Sequence, residues 1–347
     1  VKQLTIRRMY RKIVCEKLST NFRECTKLVS VPIPKALAPG NILVKNEWCG
    51  INASDINFTN GKYLPGVKPP FDCGFEAMGK VAMVGDDVPK LKLGDSVVYT
   101  SFGAFSEYQE VDARAAVSLP QVMPEALPLF VSGLTASIAL EKVGEIKKDE
   151  KVLVTAAAGG TGTFAVQLAK LAGCHVIGTC SSDEKVEALK AVGCDRPVNY
   201  RKEDLFQVLR SEYPNGVDVV YESVGGSFFD TALNNLAKKG RLVVIGFISG
   251  YQDGTGWSQE AGMKKESTPI TAKLLGKSAS IRGFFLNDYT RDWKPHMAKL
   301  LQLTQEGKLK PVVDQQACKL FQGLECVPDA IEYMYAGKNI GKVLVKL

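Results

Sequence analysis

Histidine is the scarcest chemistry-bearing residue of this chain. Only His175 and His296 occur among 347 residues, so a site built from several imidazoles is excluded. Nine cysteines form no CxxC pair, and most sit in apolar runs such as GCHVIGTC. That pattern argues against a zinc ribbon or a disulfide framework and reads as buried free thiols of a reducing compartment, the cytoplasm. The longest apolar region, VLVTAAAGGTGTFAVQLAKLAG, is broken by a glycine cluster and by Lys170, so no membrane span is expected there. No signal-peptide pattern follows Val1, and the loss of a leader stays open. The closing Val345-Lys346-Leu347 resembles the SKL address only loosely, which keeps the peroxisome as a second location. Neither sign of charge dominates: 44 basic and 37 acidic residues give +7, without a long basic block. Nucleic acid is therefore a poor partner, whereas a multiply anionic small molecule suits the balance.

What is present is an ordinary globular mixture, 45% hydrophobic and 23% charged, long enough for about two domains. The first 125 residues are rich in short β-like runs such as RKIVCEK, NILVKNEW, GKVAMVG and DSVVYTS. From about residue 126 strands alternate with helix-length stretches. KVLVTAAA leads to TFAVQLAKLAG, HVIGTCS to DEKVEALKAVG, VNY to EDLFQVLRSE, and VDVVYESV to FFDTALNNLAKKG, before RLVVIGFI. Such alternation predicts a parallel sheet with helices on both faces. After the polar stretch GYQDGTGWSQEAGMKKEST, ASIRGFFL supplies a sixth strand and KPHMAKLLQLTQEG a helix, and the tail KNIGKVLVKL is strand-like. The predicted class is α/β: a doubly wound Rossmann domain, residues 126–304, inserted in a β-rich domain made of residues 1–125 and 305–347.

In AAAGGTGTFA the spacing Gly160, Gly162, Ala165 fits GxGxxA, directly after a predicted strand and at the start of a helix. Glycines there let the backbone approach a pyrophosphate, whose charge the helix N-terminus stabilises. The plain alternative is a tight strand-to-helix turn with no ligand. About 20 residues on, NAD sites present an acid to the ribose. This chain offers Cys180, Ser181 and Ser182, then Lys185, which favours the 2′-phosphate of NADP. Ser181 and Glu184 also fit a capping box, and Lys185 fits a solvated helix position.

Taken together, NILVKNEWCGINASDIN, PPFDCGFEAMGKVAMVG, LKLGDSVVY, GAFSEY, the AAAGGTG turn, GVDVVYESVGG and GKNIGKVLV resemble a medium-chain dehydrogenase/reductase of the zinc-independent quinone oxidoreductase branch. The resemblance makes the β-rich part a GroES-like catalytic domain. Zinc-containing members bind the metal through a cysteine in a CGxCxSD-like run and a histidine in a GHE run; here those positions read Asn52 and Phe75. Phenylalanine has no lone pair to give, and Cys49, Cys73 and Glu76 alone make no zinc site. No metal is therefore expected.

Without a Lewis acid, oxidation of an unactivated alcohol is difficult, but reduction of a conjugated carbonyl needs none. The resemblance implies an NADPH-dependent reductase of α,β-unsaturated ketones such as 15-keto prostaglandins, with quinones as the alternative acceptor. A zinc alcohol dehydrogenase with unusual ligands and a non-catalytic NADPH-binding protein of crystallin or vesicle-associated type are the competing classes. Donors to the enolate oxygen would be the nicotinamide ribose hydroxyl, Asn52 first, and Tyr63 second, with a rim position the alternative for Tyr63. Asp55 is expected to fix the loop. The resemblance further places Thr161, Ser181, Lys185 and Tyr200 around the adenosine and phosphates, and Ser223, Ile245 and Tyr251 after the later strands. Phe285, Leu286, Asn287 and Asn339 would close over the nicotinamide half. Tyr200 equally suits a packed strand end. Loop 249–275, with Phe71, Phe102, Trp257 and Phe284, is expected to set the pocket's width. The apolar GFF edge of strand six predicts either a homodimer or an edge covered within one chain.

Overall fold

The computed structural model describes residues 8–254, 257 and 269–347. Most of the polar stretch expected at 250–268 lies outside them. The chain gathers into two compact units: Val1–Phe130 with Val313–Lys338 and Val343–Leu347, and Val131–Val312 with Asn339–Lys342.

The first unit is antiparallel. Strands β1 (Met9–Cys15), β2 (Thr26–Pro32) and β4 (Phe71–Asp72) form a small sheet in the order β2-β1-β4. β3 (Asn41–Gly50), β5 (Glu76–Val84), β6 (Ser96–Thr100), β8 (Ala116–Leu119) and β15 (Leu344–Lys346) run in the order β15-β3-β5-β6-β8, and β7 (Tyr108–Asp112) pairs with β3. Helices α1 (Phe22–Cys25), α2 (Ser54–Thr59), α10 (Gln315–Leu320) and α11 (Val327–Tyr335) complete the unit. Ile13, Ile42, Val44, Val97, Phe105 and Val345 fill one core shared by both parts of the chain.

The second unit holds β9 (Lys151–Val154), β10 (His175–Cys180), β11 (Arg196–Asn199), β12 (Val217–Glu222), β13 (Leu236–Val244) and β14 (Ser280–Gly283), all parallel, in the order β11-β10-β9-β12-β13-β14. Counted from β9 this is 3-2-1-4-5-6, the doubly wound order whose ligands sit beyond the strands' carboxyl ends. Its helices are α3 (Val131–Ile138), α4 (Gly160–Leu171), α5 (Asp183–Ala191), α6 (Leu205–Glu212), α7 (Gly226–Asn234), α8 (Ile270–Lys277) and α9 (Thr290–Gln305). Central strands are apolar on both faces because helices cover both; Val152, Leu153 and Val154 are fully buried.

The helix expected over FFDTALNNLAKKG ends early. Asn235 closes α7, and Leu236 already pairs with Val217 of β12, so LAKK belongs to β13. Lys239 sits at φ 63° beside Gly240, where the strand bulges. Pro124–Val143 is long and apolar enough to cross a membrane, but 83% of its most apolar window is buried, as in a globular core helix.

Candidate functional site

Two sets of residues fall together, one in each unit. In the second unit, β9 turns at Ala156–Gly159 into α4, whose N-cap is Gly159, with no side chain capping it. The first amides of a 12-residue helix are thus presented by backbone alone. A Cβ on Gly162 would stand 2.4 Å from the Ala156 carbonyl oxygen and 2.7 Å from the Ala157 Cα. Only glycine permits this closeness of helix and turn, the packing a dinucleotide turn uses. Asn339–Lys342 docks on the same turn: the Gly341 amide donates to the Ala158 oxygen at 2.8 Å, and Asn339 Nδ2 holds the Gly341 oxygen at 2.8 Å. This cradle of backbone and small residues fits a dinucleotide pyrophosphate.

The other expected residues follow the strands one by one. Thr161 lies in the first turn of α4, Ser181 follows β10, Tyr200 follows β11, Ser223 follows β12, and Ile245 follows β13. Phe285, Leu286 and Asn287 come just after β14, with Phe285 and Asn287 exposed. Tyr251 lies deeper, 3% exposed, and its hydroxyl accepts from the Phe247 amide at 3.2 Å.

The capping box, the alternative role for Ser181 and Glu184, is not formed. Ser182 caps α5, accepting from the Lys185 amide at 3.3 Å, because it stands directly before the helix with extended backbone. Ser181 is thereby spared the cap. Lys185 is 8% exposed, not solvated, while Tyr200 is 41% exposed and meets Phe228 edge-on, with ring centroids 5.1 Å apart.

Sequence reasoning missed Glu222. This fully buried carboxylate accepts from the Val224 and Gly225 amides and from the Thr155 hydroxyl at 2.9–3.3 Å, and so shapes the loop that carries Ser223. Burial raises its pKa and the loop donors lower it, with a net rise. The signal was an acid ending the apolar run VDVVYE.

In the first unit, the loop after β3 and the start of β5 meet. Asn52 is 8% exposed; its backbone amide donates to Asp55 Oδ2 at 2.8 Å, so Asp55 braces the loop. Its side-chain Nδ2 donates to Glu76 Oε1 at 3.1 Å and reaches the Gly50 oxygen at 3.4 Å. The amide nitrogen, the donor end of the Asn52 side chain, thus faces Glu76. Gly50 makes the room: a Cβ there would lie 2.5 Å from Glu76 Oε1. The donor expected to face the substrate is thus engaged by Glu76.

Phe75 stands among aromatic rings. Its centroid is 5.1 Å from Phe58 and 5.7 Å from Phe102, Phe58 stacks on Phe102 at 4.6 Å, and Phe71 meets Phe58 at 5.5 Å. Phe58 went unnoticed in the sequence because α2 had to form before its ring could turn inward. Tyr63 is half-buried, its amide donating to the Asn57 oxygen at 3.2 Å. Cys49 and Cys73 are buried, and burial pushes the Cys73 thiol well up, so it offers no ready thiolate. His175 pairs with Tyr213 at 2.9 Å and His296 with Ser137 at 2.7 Å. Among the described residues no three His, Cys, Asp or Glu side chains gather into a metal-binding group.

Comparison with known proteins bears on the family and the fold. The alcohol dehydrogenase GroES-like domain profile matches residues 38–121, and the zinc-binding dehydrogenase profile residues 160–302. Prostaglandin reductase-3 of Mus musculus is 52% identical over 350 residues, covering 99% of this chain and 90% of that protein. A probable quinone oxidoreductase of Leishmania amazonensis is 46% identical, covering 97% of this chain and 98% of its own length. The Escherichia coli quinone oxidoreductase complexed with NADPH matches the fold with a TM-score of 0.82 at 29% identity, over 97% of this chain and all of that one. The profiles fall on the segment that holds Asn52 and Phe75 and on the segment that holds most of the parallel sheet, and full-length relatives join them: the chain belongs to the medium-chain dehydrogenase/reductase superfamily, in its quinone oxidoreductase-like branch.

Proposed function

We propose that the protein is an NADPH-dependent reductase of the carbon–carbon double bond of α,β-unsaturated ketones, with lipid-derived enones such as 15-keto prostaglandins as the substrate class. The observation that carries this reading is Phe75 packed against Phe58 and Phe102, where zinc-containing members place a ligand. A ring there supplies an apolar wall in place of a Lewis acid, suited to a hydrophobic acceptor that is already electrophilic. The prostaglandin reductase-3 and quinone oxidoreductase likenesses support the same chemistry.

The second unit is the proposed NADP-binding domain. Gly160, Thr161 and Gly162 would take the pyrophosphate, Ser181 and Lys185 the 2′-phosphate, and Tyr200 the adenine side. Ser223, Ile245 and Tyr251, with Phe285, Leu286, Asn287 and Asn339, would enclose the remainder. When bound, NADPH supplies the hydride for the enone β-carbon. The first unit, the proposed GroES-like catalytic domain, answers the charge that develops on the substrate oxygen. Asn52 and Tyr63 are the proposed donors. Asn52 would have to exchange Glu76 for the substrate, so its steadier role is to hold Glu76 and the loop in place. Water delivers the α-carbon proton.

A second reading, quinone reduction, is favoured by the Leishmania and Escherichia coli likenesses. We further propose a homodimer joined through β14, which lies at the end of its sheet with no strand on its outer side among the described residues. The proposed location is the cytoplasm, where buried thiols stay reduced. The test is NADPH oxidation with a panel of enones, quinones and saturated ketones. Turnover confined to enones supports the first reading and preference for quinones the second; binding of NADPH without oxidation by any acceptor overturns both.

A further inference from the structure

Resting on the NADPH reading above, one more residue bears on cofactor choice. Asp183 opens α5 directly after the Ser182 cap, close to the position where NAD-binding members of this fold set an acid against the ribose. A free carboxylate there would repel a 2′-phosphate and accept from a ribose diol. Here it is turned elsewhere. Asp183 Oδ1 accepts from Asn199 Nδ2 at 2.9 Å and Oδ2 from Lys202 Nζ. Asn199 is 5% exposed at the tip of β11, in register with Cys180 at the tip of β10. Its own Oδ1 accepts from the Arg201 amide at 3.2 Å, which orients the side-chain nitrogen toward Asp183. The Lys202 amide donates to the Asn199 oxygen at 2.9 Å, so the turn after β11 delivers the ammonium to the carboxylate. The neighbouring Glu203 is engaged by Arg196 at 2.7 Å.

We propose that Lys202 is a specificity-determining positioning residue: by pinning Asp183 against Asn199 it cancels the charge and keeps the carboxylate off the ribose, leaving Ser181 and Lys185 to accept the 2′-phosphate. The pair is largely solvated, with side chains 64% and 66% exposed, so its leverage is modest. A change of about two- to five-fold in the NADPH-to-NADH affinity ratio is expected, larger at low salt.

The test is equilibrium binding of NADPH and NADH, read by nicotinamide fluorescence, to the wild type, Lys202→Met, Lys202→Arg, Asp183→Asn and the Lys202→Met/Asp183→Asn double variant. The proposal expects Lys202→Met to shift the ratio toward NADH, Lys202→Arg to preserve it, and Asp183→Asn to restore it in the double variant. An unchanged ratio in Lys202→Met overturns it. So does a loss of NADPH affinity that Asp183→Asn cannot rescue, since Lys202 would then touch the phosphate directly. A wild type that binds both cofactors equally would defeat the NADPH reading itself. A wild type that prefers NADPH, with the ratio unmoved by Lys202→Met, defeats this inference alone.

Discussion

Gly160 and Gly162 belong to one motif, yet the structure predicts different fates for them. An added Cβ at Gly162 meets the Ala156 oxygen at 2.4 Å, the Ala157 Cα at 2.7 Å and the Ala157 oxygen at 2.7 Å, all backbone atoms. Ordinary contact begins near 3.4 Å, so the turn or the head of α4 must retreat by several tenths of an ångström to about one ångström. Overpacking of this kind costs about 1–3 kcal/mol, and with about 2–4 °C of Tm per kcal/mol for a unit of this size, Gly162→Ala should lose roughly 2–12 °C. The same retreat moves the amides at the start of α4, so NADPH affinity should fall with stability. At Gly160 the added Cβ meets Lys342 Cδ at 3.2 Å and Ser132 Oγ at 3.3 Å, both movable side-chain atoms. Gly160→Ala should therefore hold its Tm within about 2 °C, and its loss should fall on NADPH affinity, since the residue opens the proposed pyrophosphate turn. Thermal melts beside NADPH titrations separate the two effects. If Gly160→Ala is the less stable variant, or Gly162→Ala keeps both Tm and affinity, the geometry of the turn has been misread.

Lys185→Ala should weaken NADPH by about 1.5–3 kcal/mol and NADH far less, measured by paired titrations; equal losses would reduce Lys185 to a structural part of α5. Tyr63→Phe should lower kcat for an enone with little change in KM, and single-turnover rates equal to wild type would remove the hydroxyl from the chemistry. Burial depresses the pKa of His296, which faces Ser137, Glu141, Lys142, Asp292 and Lys299, so the folded state holds fewer protons than the unfolded one. That contribution is present above the unfolded value of 6.5 and is lost as pH falls through the lower folded value. Tm should thus decline between about pH 7 and about pH 5, less steeply in His296→Gln, and parallel slopes would refute the linkage.

The parallel sheet was legible because each strand is a short apolar run followed by a periodic helix, and the glycine turn because its spacing falls at that junction. Local ambiguity hid the rest. Ser181 and Ser182 both suit an N-cap, and only the strand's exact end decides between them. LAKK has helix-forming residues, but pairing with Val217 draws it into β13. The Asn52–Glu76 contact joins residues 24 apart through a β3–β5 register with two irregularities, which no local pattern encodes. The inward turn of Glu222, too, depends on amides that are placed only once its loop has closed.

The rings around Phe75 bear on how the first unit comes to be folded in a cell. Where a metal shapes a loop, folding waits on metal supply, and chelators or competing ions can undo it. Here Phe58, Phe71, Phe75 and Phe102 join the loop segments by contacts the chain carries from synthesis. These contacts need no ion to form, so a chelator present during refolding should leave the packing of the four rings unchanged.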